Sequence, residues 1–273
     1  MTLYFGFWLE NDIKYNCNIV NESSSQNAAQ QRYSFKLDWA LHCILRLVSN
    51  YKFTSVLDIG SGEGEHKRFF QFFGKDVFSV DLSKHADYIG DFMDVEFDQK
   101  FDLVWCSHVL EHQRNIGLFL DKIYDVIKEN GILAITVPIH PRERLISGHL
   151  SSWSVPLLCY NLIMAGFNCN NAEILSTYEL SLVVQKELAS HNELRKNSAQ
   201  GADAGVEFSD IAKYFPFPAQ QGIELNGPGL INWEDPLQYL LPNPIVDENF
   251  ELQIECKNID GNPQLTPVLQ LVK

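Results

Sequence analysis

The stretch VLDIGSGEGEH, residues 56–66, decides the fold of this chain. An apolar run ends at Asp58, and three glycines follow within five residues, at Gly60, Gly62 and Gly64. Glycine adopts backbone dihedrals, and allows close approaches, that a side chain would forbid. The pattern therefore predicts a buried strand, a tight turn that offers bare backbone to a ligand, and the start of a helix.

The spacing of these glycines indicates a ligand other than a dinucleotide. Dinucleotide sites use G-x-G-x-x-G, which seats a pyrophosphate on the N-terminus of the following helix. Here the spacing is G-x-G-x-G, and the turn also carries the acids Asp58, Glu63 and Glu65. Carboxylates repel a phosphate and attract a cation. The turn thus predicts a nucleoside ligand that lacks phosphate and carries a positive charge.

Four short apolar runs bounded by turn residues indicate strands buried on both faces. They are TSVLDIG (54–60), KDVFSVD (75–81), FDLVWCS (101–107) and GILAITVP (131–138). Helical patterns occupy 34–51 and 114–130, and two further strand patterns end near residue 186. Strands that alternate with helices form right-handed βαβ units, so the chain is expected to be an α/β protein with a mostly parallel sheet.

The composition narrows the function classes. The chain has 273 residues, of which 45% are hydrophobic and 21% charged, as is typical of a soluble globular protein. A formal net charge of −14 opposes binding to nucleic acid. The six cysteines form no C-x-x-C pair, no run is long enough to span a membrane, and the start lacks the features of a signal peptide. We therefore expect a cytoplasmic protein.

The glycine turn resembles the first motif of the class I S-adenosylmethionine-dependent methyltransferases. Three later stretches resemble the next motifs of that family, in the same order: VFSVDLS, GDFMDVEF and FDLVWCSHVLEHQ. The resemblance covers about residues 34–187 and is to the small-molecule branch (methyltransferase type 11/23-like). It implies a Rossmann-like, doubly wound, mostly parallel sheet of seven strands. It also implies S-adenosyl-L-methionine as cofactor and methyl transfer to a small-molecule or sugar-type acceptor, at oxygen or nitrogen.

The resemblance also implies a set of cofactor contacts. Asp81 would bind the ribose hydroxyls, and Asp91 would meet the adenine amino group while the backbone N–H of Phe92 meets the ring. The residues expected at the cofactor are Asp58, Gly60, Gly62, Asp81, Leu82, Asp91, Phe92 and Ser107. A catalytically inactive binding or assembly protein with the methyltransferase fold is the alternative, and the intact acids at 58, 81 and 91 speak against it.

The segment SHVLEHQ places His108, Glu111 and His112 at i, i+3 and i+4, on one face if the segment is helical. H-x-x-E-H is also the inverted zincin motif, but here it follows a strand of a different fold. Ubiquinone-biosynthesis O-methyltransferases carry a similar E-x-x-E-H stretch implicated in metal binding. The segment could instead order the loop beside the methionine moiety, or His112 or His108 could act as general base. The sequence assigns no metal ligand.

The connection after the fifth strand carries the expected acceptor residues. Arg142 and Arg144 suit a carboxylate or phosphate on the acceptor, and Trp153 offers a flat face for a sugar ring. His149 is a candidate for both acceptor binding and catalysis. The stretch GHLSSW is similar to one in methyltransferases of glycan and cell-envelope gene clusters, which implies a glycan-precursor acceptor. The alternative is that the arginines are solvated loop charges and that His149 caps a turn.

The chain is expected to divide into three parts: an N-terminal hairpin extension (1–33), the methyltransferase domain (34–187) and a loop-rich C-terminal extension ending in a hairpin (188–273). The hairpins at about 2–20 and 249–272 are expected to pair in one small β region, because an isolated two-stranded hairpin is marginal in water. The C-terminal part could form a lid or a substrate platform. Alternatively, the β region formed by the two terminal hairpins could dock a partner or a second copy, which would give a homo-oligomer through the terminal extensions. Its aromatics, such as Phe215, Phe217 and Trp233, suit either a contact surface or an extension of the core.

Overall fold

The computed structural model describes residues 31–34, 37, 39–139, 145–176, 179–187, 207–222, 232–233, 250–259 and 262–271. The chain splits into two compact units, one of residues 43–234 and the other of residues 1–42 and 235–273. The division into parts at residues 33 and 187 stays a prediction.

The described residues form ten strands and five α-helices. The strands are β1 (Gln31–Ser34), β2 (Ser55–Ile59), β3 (Asp76–Asp81), β4 (Tyr88–Ile89), β5 (Phe101–Ser107), β6 (Ile127–Pro138), β7 (Glu173–Ser176), β8 (Glu179–Gln185), β9 (Phe250–Ile259) and β10 (Asn262–Leu271). The helices are α1 (Leu41–Asn50), α2 (Glu65–Phe72), α3 (Ile116–Val126), α4 (Val155–Met164) and α5 (Phe208–Ile211). None of these helices has the length and apolar character needed to cross a bilayer.

The larger unit is built on a seven-stranded sheet with the order β4-β3-β2-β5-β6-β8-β7. Strands β2 to β6 pair in parallel, whereas β8 is antiparallel to both β6 and β7. The predicted mostly parallel α/β sheet is therefore confirmed. The order reverses direction at β2, because β3 lies on one side of it and β5 on the other, and such a switch point leaves a crevice at the carboxyl edge.

Two helices differ in extent from the sequence prediction. The first begins at Leu41 and not at residue 34, because residues 31–34 form a strand and Ala40 has a left-handed φ of 59°. Helix α3 ends at Val126 and not near residue 130, because Ile127 already pairs with Phe101 of β5. Both helices are therefore shorter than their sequence patterns, the first at its start and the third at its end.

The core lies where the sheet meets its helices. All five residues of β2 are buried, and so are six of the seven residues of β8. Phe215, Phe217 and Trp233 are also buried, and the first two belong to the same hydrophobic cluster as the sheet. These three aromatics therefore extend the core, and the alternative of an exposed contact surface is wrong for them.

A separate three-stranded antiparallel sheet has the order β1-β9-β10. Strands β9 and β10 pair from Phe250↔Leu271 to Ile259↔Asn262, and β1 pairs with β9 from Gln31↔Cys256 to Ser34↔Gln253. The two strands of the C-terminal hairpin thus lie where the sequence placed them. The predicted N-terminal hairpin at about 2–20 lies outside the described residues, so its pairing with the C-terminal one stays a prediction.

Candidate functional site

A cavity of about 300 Å³ lies where β2, β3 and β5 end. Its wall combines glycines, apolar side chains, two acids and two histidines. The lining residues are Ile59, Gly60, Val80, Asp81, Leu82, Gly90, Asp91, Phe92, His108, Val109, His112, Gln113 and Phe119. Among these described residues there are two acids and no lysine or arginine. This part of the wall is therefore suited to a neutral or cationic ligand.

The glycine turn forms one wall of this cavity. Gly60 has a φ of 73°, and its N–H donates to the carbonyl of Val80 at 2.8 Å. A Cβ at this position would lie 2.2 Å from Cγ2 of Val109, so only glycine fits between β2 and the segment after β5. The N–H of Gly62 donates to Oδ2 of Asp81 at 2.9 Å, which ties the turn to the end of β3.

The two acids are held in place by backbone hydrogen bonds. Besides the Gly62 bond, Oδ1 of Asp81 accepts the N–H of Ser83 at 2.6 Å. Oδ1 of Asp91 accepts the N–H of Met93 at 2.9 Å. An ionised carboxylate has about four acceptor positions, so each acid keeps capacity for a ligand hydroxyl or amino group.

Apolar side chains complete the wall beside the acids. The ring of Phe92 is buried and meets Phe119 edge-on at a centroid distance of 5.3 Å. Leu82 is 79% exposed, although it also lines the cavity. A leucine that is this exposed at a cavity mouth is available to contact a ligand.

Three expected cofactor residues, Asp58, Gly62 and Ser107, are not among the residues that line the cavity. Asp58 is buried within β2, where burial and then the negative charge of Asp81 raise its pKa to about 7. Its Oδ2 has no hydrogen-bond partner among the described residues. The hydroxyl of Ser107 accepts a hydrogen bond from Thr136 at 2.9 Å. The roles of Asp58, Gly62 and Ser107 at the cofactor therefore stay predictions.

His108 is held between two buried carboxylates. Its Nε2 donates to Oε2 of Glu179 at 2.7 Å, and its Nδ1 lies 3.5 Å from Oε1 of Glu111. Burial alone would lower the pKa of His108, but the carboxylates of Glu111 and Glu179 outweigh burial and raise it to about 9. His108 therefore carries its proton at neutral pH. Glu179 is a partner that the sequence analysis missed, and no local signal marks it.

The segment after β5 is not the α-helix on which a shared face was expected. His108 has a left-handed φ of 55°, and only Leu110–His112 form a short 3₁₀ helix. Glu111 is nevertheless central, because it is 1% exposed and lies between His108 and His112. Neither of its carboxylate oxygens has a hydrogen-bond partner among the described residues.

His112 faces a second histidine. Its Nδ1 donates to the carbonyl of Gly148 at 2.8 Å, so in the neutral ring the lone pair lies on Nε2. Nε2 is 3.8 Å from Oε1 of Glu111. The rings of His112 and His149 meet edge-on at a centroid distance of 4.9 Å. The tertiary fold therefore joins two histidines that the sequence analysis treated as parts of different sites.

Comparison with known proteins identifies the domain. A family model described as "Methyltransferase domain" matches residues 29–163, which contain the glycine turn, both acids and the two histidines around Glu111. The chain therefore carries a class I methyltransferase domain. A curated relative is the malonyl-[acyl-carrier protein] O-methyltransferase of Salmonella typhimurium, 27% identical over 124 residues, which are 41% of this chain and 47% of the relative. The chain thus matches about half the length of this relative.

Several solved methyltransferase structures also align with this methyltransferase domain. The 1,6-didemethyltoxoflavin-N1-methyltransferase of Burkholderia thailandensis, solved with 1,6-didemethyltoxoflavin and S-adenosylhomocysteine, is 18% identical, with 60% of this chain and 98% of that chain covered and a TM-score of 0.44. The N-methyltransferase NodS of Bradyrhizobium japonicum, solved with S-adenosylhomocysteine, is 14% identical, with 53% and 84% covered and a TM-score of 0.43.

The residues expected to bind the acceptor differ in where the structure places them. Arg142 and Arg144 lie outside the described residues, so their role stays a prediction. His149 lies beside the cavity residue His112. Trp153 is only 7% exposed and packs in the core cluster, with its indole N–H lacking a partner among the described residues. A role of Trp153 in stacking on a sugar would therefore require its ring to become accessible.

Proposed function

We propose that this protein transfers the methyl group of S-adenosylmethionine to an oxygen or nitrogen of a small-molecule or sugar-type acceptor. One observation carries the proposal: Asp81 and Asp91 line the same cavity as the bare backbone of Gly60, and none of the described residues that line it is a lysine or arginine. A nucleoside with two polar ends and a positive charge suits such a wall. The acids at 81 and 91 also speak against the alternative of an inactive binding or assembly protein.

The residues present fit the proposed cofactor. Asp81 would hold the ribose hydroxyls through the acceptor capacity that its two backbone bonds leave free. Asp91 and the backbone of Phe92 would hold the adenine. When bound, S-adenosylmethionine supplies a methyl group already activated by its positively charged sulfur. The chain's own task is therefore to align the acceptor and exclude water.

The two histidines that line the cavity would have different tasks. Methylation of an acceptor hydroxyl or amine would release a proton from the acceptor, and a residue of the site would have to take it. His108 is a poor base, because its pKa is raised to about 9 and its proton is already in place at neutral pH. His112 lines the cavity and donates its Nδ1–H to Gly148, which leaves a lone pair on Nε2, so it is the better candidate for a proton acceptor.

The acceptor would lie beside His112 and His149, with a glycan precursor as one acceptor class. Arg142 and Arg144 would bind an acidic group on it. The predictions of a cytoplasmic location and of a homo-oligomer formed through the terminal extensions complete the proposal. Nucleic acid is not an expected acceptor, because the formal net charge is −14.

Calorimetric titration of S-adenosylhomocysteine, S-adenosylmethionine and NAD into the full-length protein tests the proposal. We expect the first two to bind with micromolar-class affinity and NAD to give no heat. Asp81→Ala should weaken binding by about 2 kcal/mol, because a carboxylate–diol contact is a charge-assisted hydrogen bond. Asp94→Ala removes an exposed acid that does not line the cavity, and it should leave the affinity unchanged within about twofold.

Absence of heat with both sulfur nucleosides, or equal affinity of the Asp81→Ala variant and the wild type, would contradict the proposal. Once binding is established, a library of hydroxyl and amine acceptors can be screened by the release of S-adenosylhomocysteine. The acceptor class then follows from the compounds that turn over.

A further inference from the structure

We propose that Glu111, His112 and His149 form a binding site for a divalent transition-metal ion, with Zn²⁺ as the best match. One ligand atom from each residue lies within 4.8 Å of the other two. Two imidazole nitrogens and one carboxylate oxygen are a ligand set that Zn²⁺ accepts, with a fourth position left open. The sequence alone assigns no metal ligand, and the pattern at 108–112 lacks the third member, which comes from a different loop.

The buried carboxylate of Glu111 is the first argument. It is 1% exposed, and neither oxygen has a hydrogen-bond partner among the described residues. A buried carboxylate is costly unless it is paired or coordinates a metal ion. His108 cannot supply this pairing alone, because it also faces Glu179 and lies closer to it, at 2.7 Å against 3.5 Å. The Glu111 carboxylate is thus a buried acceptor beside which a cation could be bound.

The orientation of His112 is the second argument. Its Nδ1–H donates to the backbone carbonyl of Gly148 at 2.8 Å. Metal-binding histidines commonly donate their second ring N–H in this way, since the bond fixes the tautomer and the ring orientation. The lone pair on Nε2 is then available for an ion, and Nε2 lies 3.8 Å from Glu111 Oε1. A Cβ at residue 148 would lie 3.2 Å from His112 Nδ1, so glycine favours this approach.

The loop that carries His149 is hydrogen-bonded to the backbone of Glu111. The N–H of Leu150 donates to the backbone carbonyl of Glu111 at 2.7 Å, and the N–H of Ser151 donates to the same carbonyl at 3.3 Å. Ligands bound tetrahedrally at about 2.0–2.1 Å from Zn²⁺ are about 3.3–3.4 Å apart. The 3.8 Å separation between Glu111 and His112 therefore closes with a small side-chain rotation. The backbone hydrogen bond from the adjacent residue, Leu150, to Glu111 keeps His149 near the other two ligands.

An ion in this site would lie beside the cavity, because His112 lines it. Its open position could bind an acceptor oxygen and favour the deprotonated form. In that state the Nε2 lone pair of His112 is used by the ion and not by a proton, so His112 would no longer be the base. This role rests on the proposed function, whereas the binding of the ion does not.

Metal titration of the full-length protein, after removal of metal with a chelator, tests the site. We expect calorimetry with ZnCl₂ to show one ion per chain. Glu111→Gln and His149→Ala should each weaken binding at least tenfold. His85→Ala is the matched control, because it removes an exposed histidine that is 45% accessible and outside the cluster, and its affinity should equal that of the wild type. Thermal unfolding of each variant checks that it is folded.

A second measurement needs no variant. Co²⁺ bound to the wild-type protein should show the strong visible absorption of a four- or five-coordinate ion and should be displaced by Zn²⁺. Failure of the wild type to bind a stoichiometric ion, or equal binding by Glu111→Gln and the wild type, would overturn the proposal. Titration of S-adenosylhomocysteine into the same samples separates the outcomes, since cofactor binding without metal binding overturns only the metal site.

Discussion

Asp58 and His108, near the carboxyl edge of the sheet, both have pKa values raised above the ordinary ones. At Asp58 burial and then the charge of Asp81 raise the pKa to about 7. At His108 burial acts in the opposite direction, and Glu111 and Glu179 outweigh it. The same burial thus favours the neutral acid in one case and is overcome by charge pairing in the other.

Replacement of Asp58 by asparagine should remove a pH dependence of stability. The pKa of Asp58 is raised from 3.8 to about 7 on folding, so the folded protein holds this proton more tightly than the unfolded chain. The wild type therefore loses stability as pH rises from about 4 to about 7, and Asp58→Asn does not. Between pH 5 and pH 7 the free energy of unfolding of the variant should gain about 2 kcal/mol relative to the wild type.

Urea denaturation of both proteins at several pH values measures this difference. Because the two proteins differ only at residue 58, the comparison isolates the titration of Asp58 together with its coupling to neighbours such as Asp81. A difference that stays constant from pH 5 to pH 7, or that changes in the opposite direction, would show that Asp58 is ionised in the folded protein.

At the scale of elements, the β2–turn–α2 unit depends on two glycines for different reasons. Gly60 and Gly62 both have left-handed φ values, of 73° and 53°. A Cβ at Gly60 would also lie 2.2 Å from Val109, whereas nothing lies within 4 Å of a Cβ at Gly62. Comparing an alanine substitution at each position therefore separates the effect of backbone strain from that of steric overlap.

Gly60→Ala should be far more damaging than Gly62→Ala. The strain of a left-handed alanine costs about 1–2 kcal/mol at either position. At Gly60 the overlap with Val109 should add about 1–3 kcal/mol and displace a residue that lines the cavity. We expect Gly60→Ala to lower stability more and to weaken S-adenosylhomocysteine binding at least tenfold, with Gly62→Ala as the matched control. Thermal unfolding and calorimetry measure both effects, and equal losses in the two variants would refute the steric explanation.

At the scale of the whole molecule, the candidate site belongs to one unit. Every cavity-lining residue lies between positions 59 and 119, inside the unit of residues 43–234. The three-stranded sheet of β1, β9 and β10 belongs to the other unit. Among the described residues, those that line the cavity therefore all come from the larger unit.

A chain truncated to residues 37–234, which keeps helix α1 whole, should still fold and bind S-adenosylhomocysteine. We expect its affinity to be within about threefold of that of the full-length protein, because the cavity and its supporting sheet are retained. Circular dichroism would verify folding, and calorimetry would measure binding. A folded truncated chain that no longer binds would show that the terminal segments contribute to the site.

The sequence by itself determined the sheet and the position of the cavity. The apolar runs at 54–60, 75–81, 101–107 and 131–138 became strands of the parallel part of the sheet. Carboxyl ends of parallel strands meet at one edge, so the order of the motifs along the chain is enough to place Gly60 and Asp81 together. These inferences succeed because hydrophobic period and turn chemistry are local properties of the chain.

Only the tertiary structure decided which distant residues meet and which of them are buried. The bond from His108 to Glu179 joins residues 71 positions apart, and His149 reaches His112 from another loop. Burial of Trp153, the raised pKa of His108 and the burial of the Glu111 carboxylate follow from the same packing. No local pattern encodes them, because each depends on side chains that chain folding brings from separate segments into one low-dielectric volume.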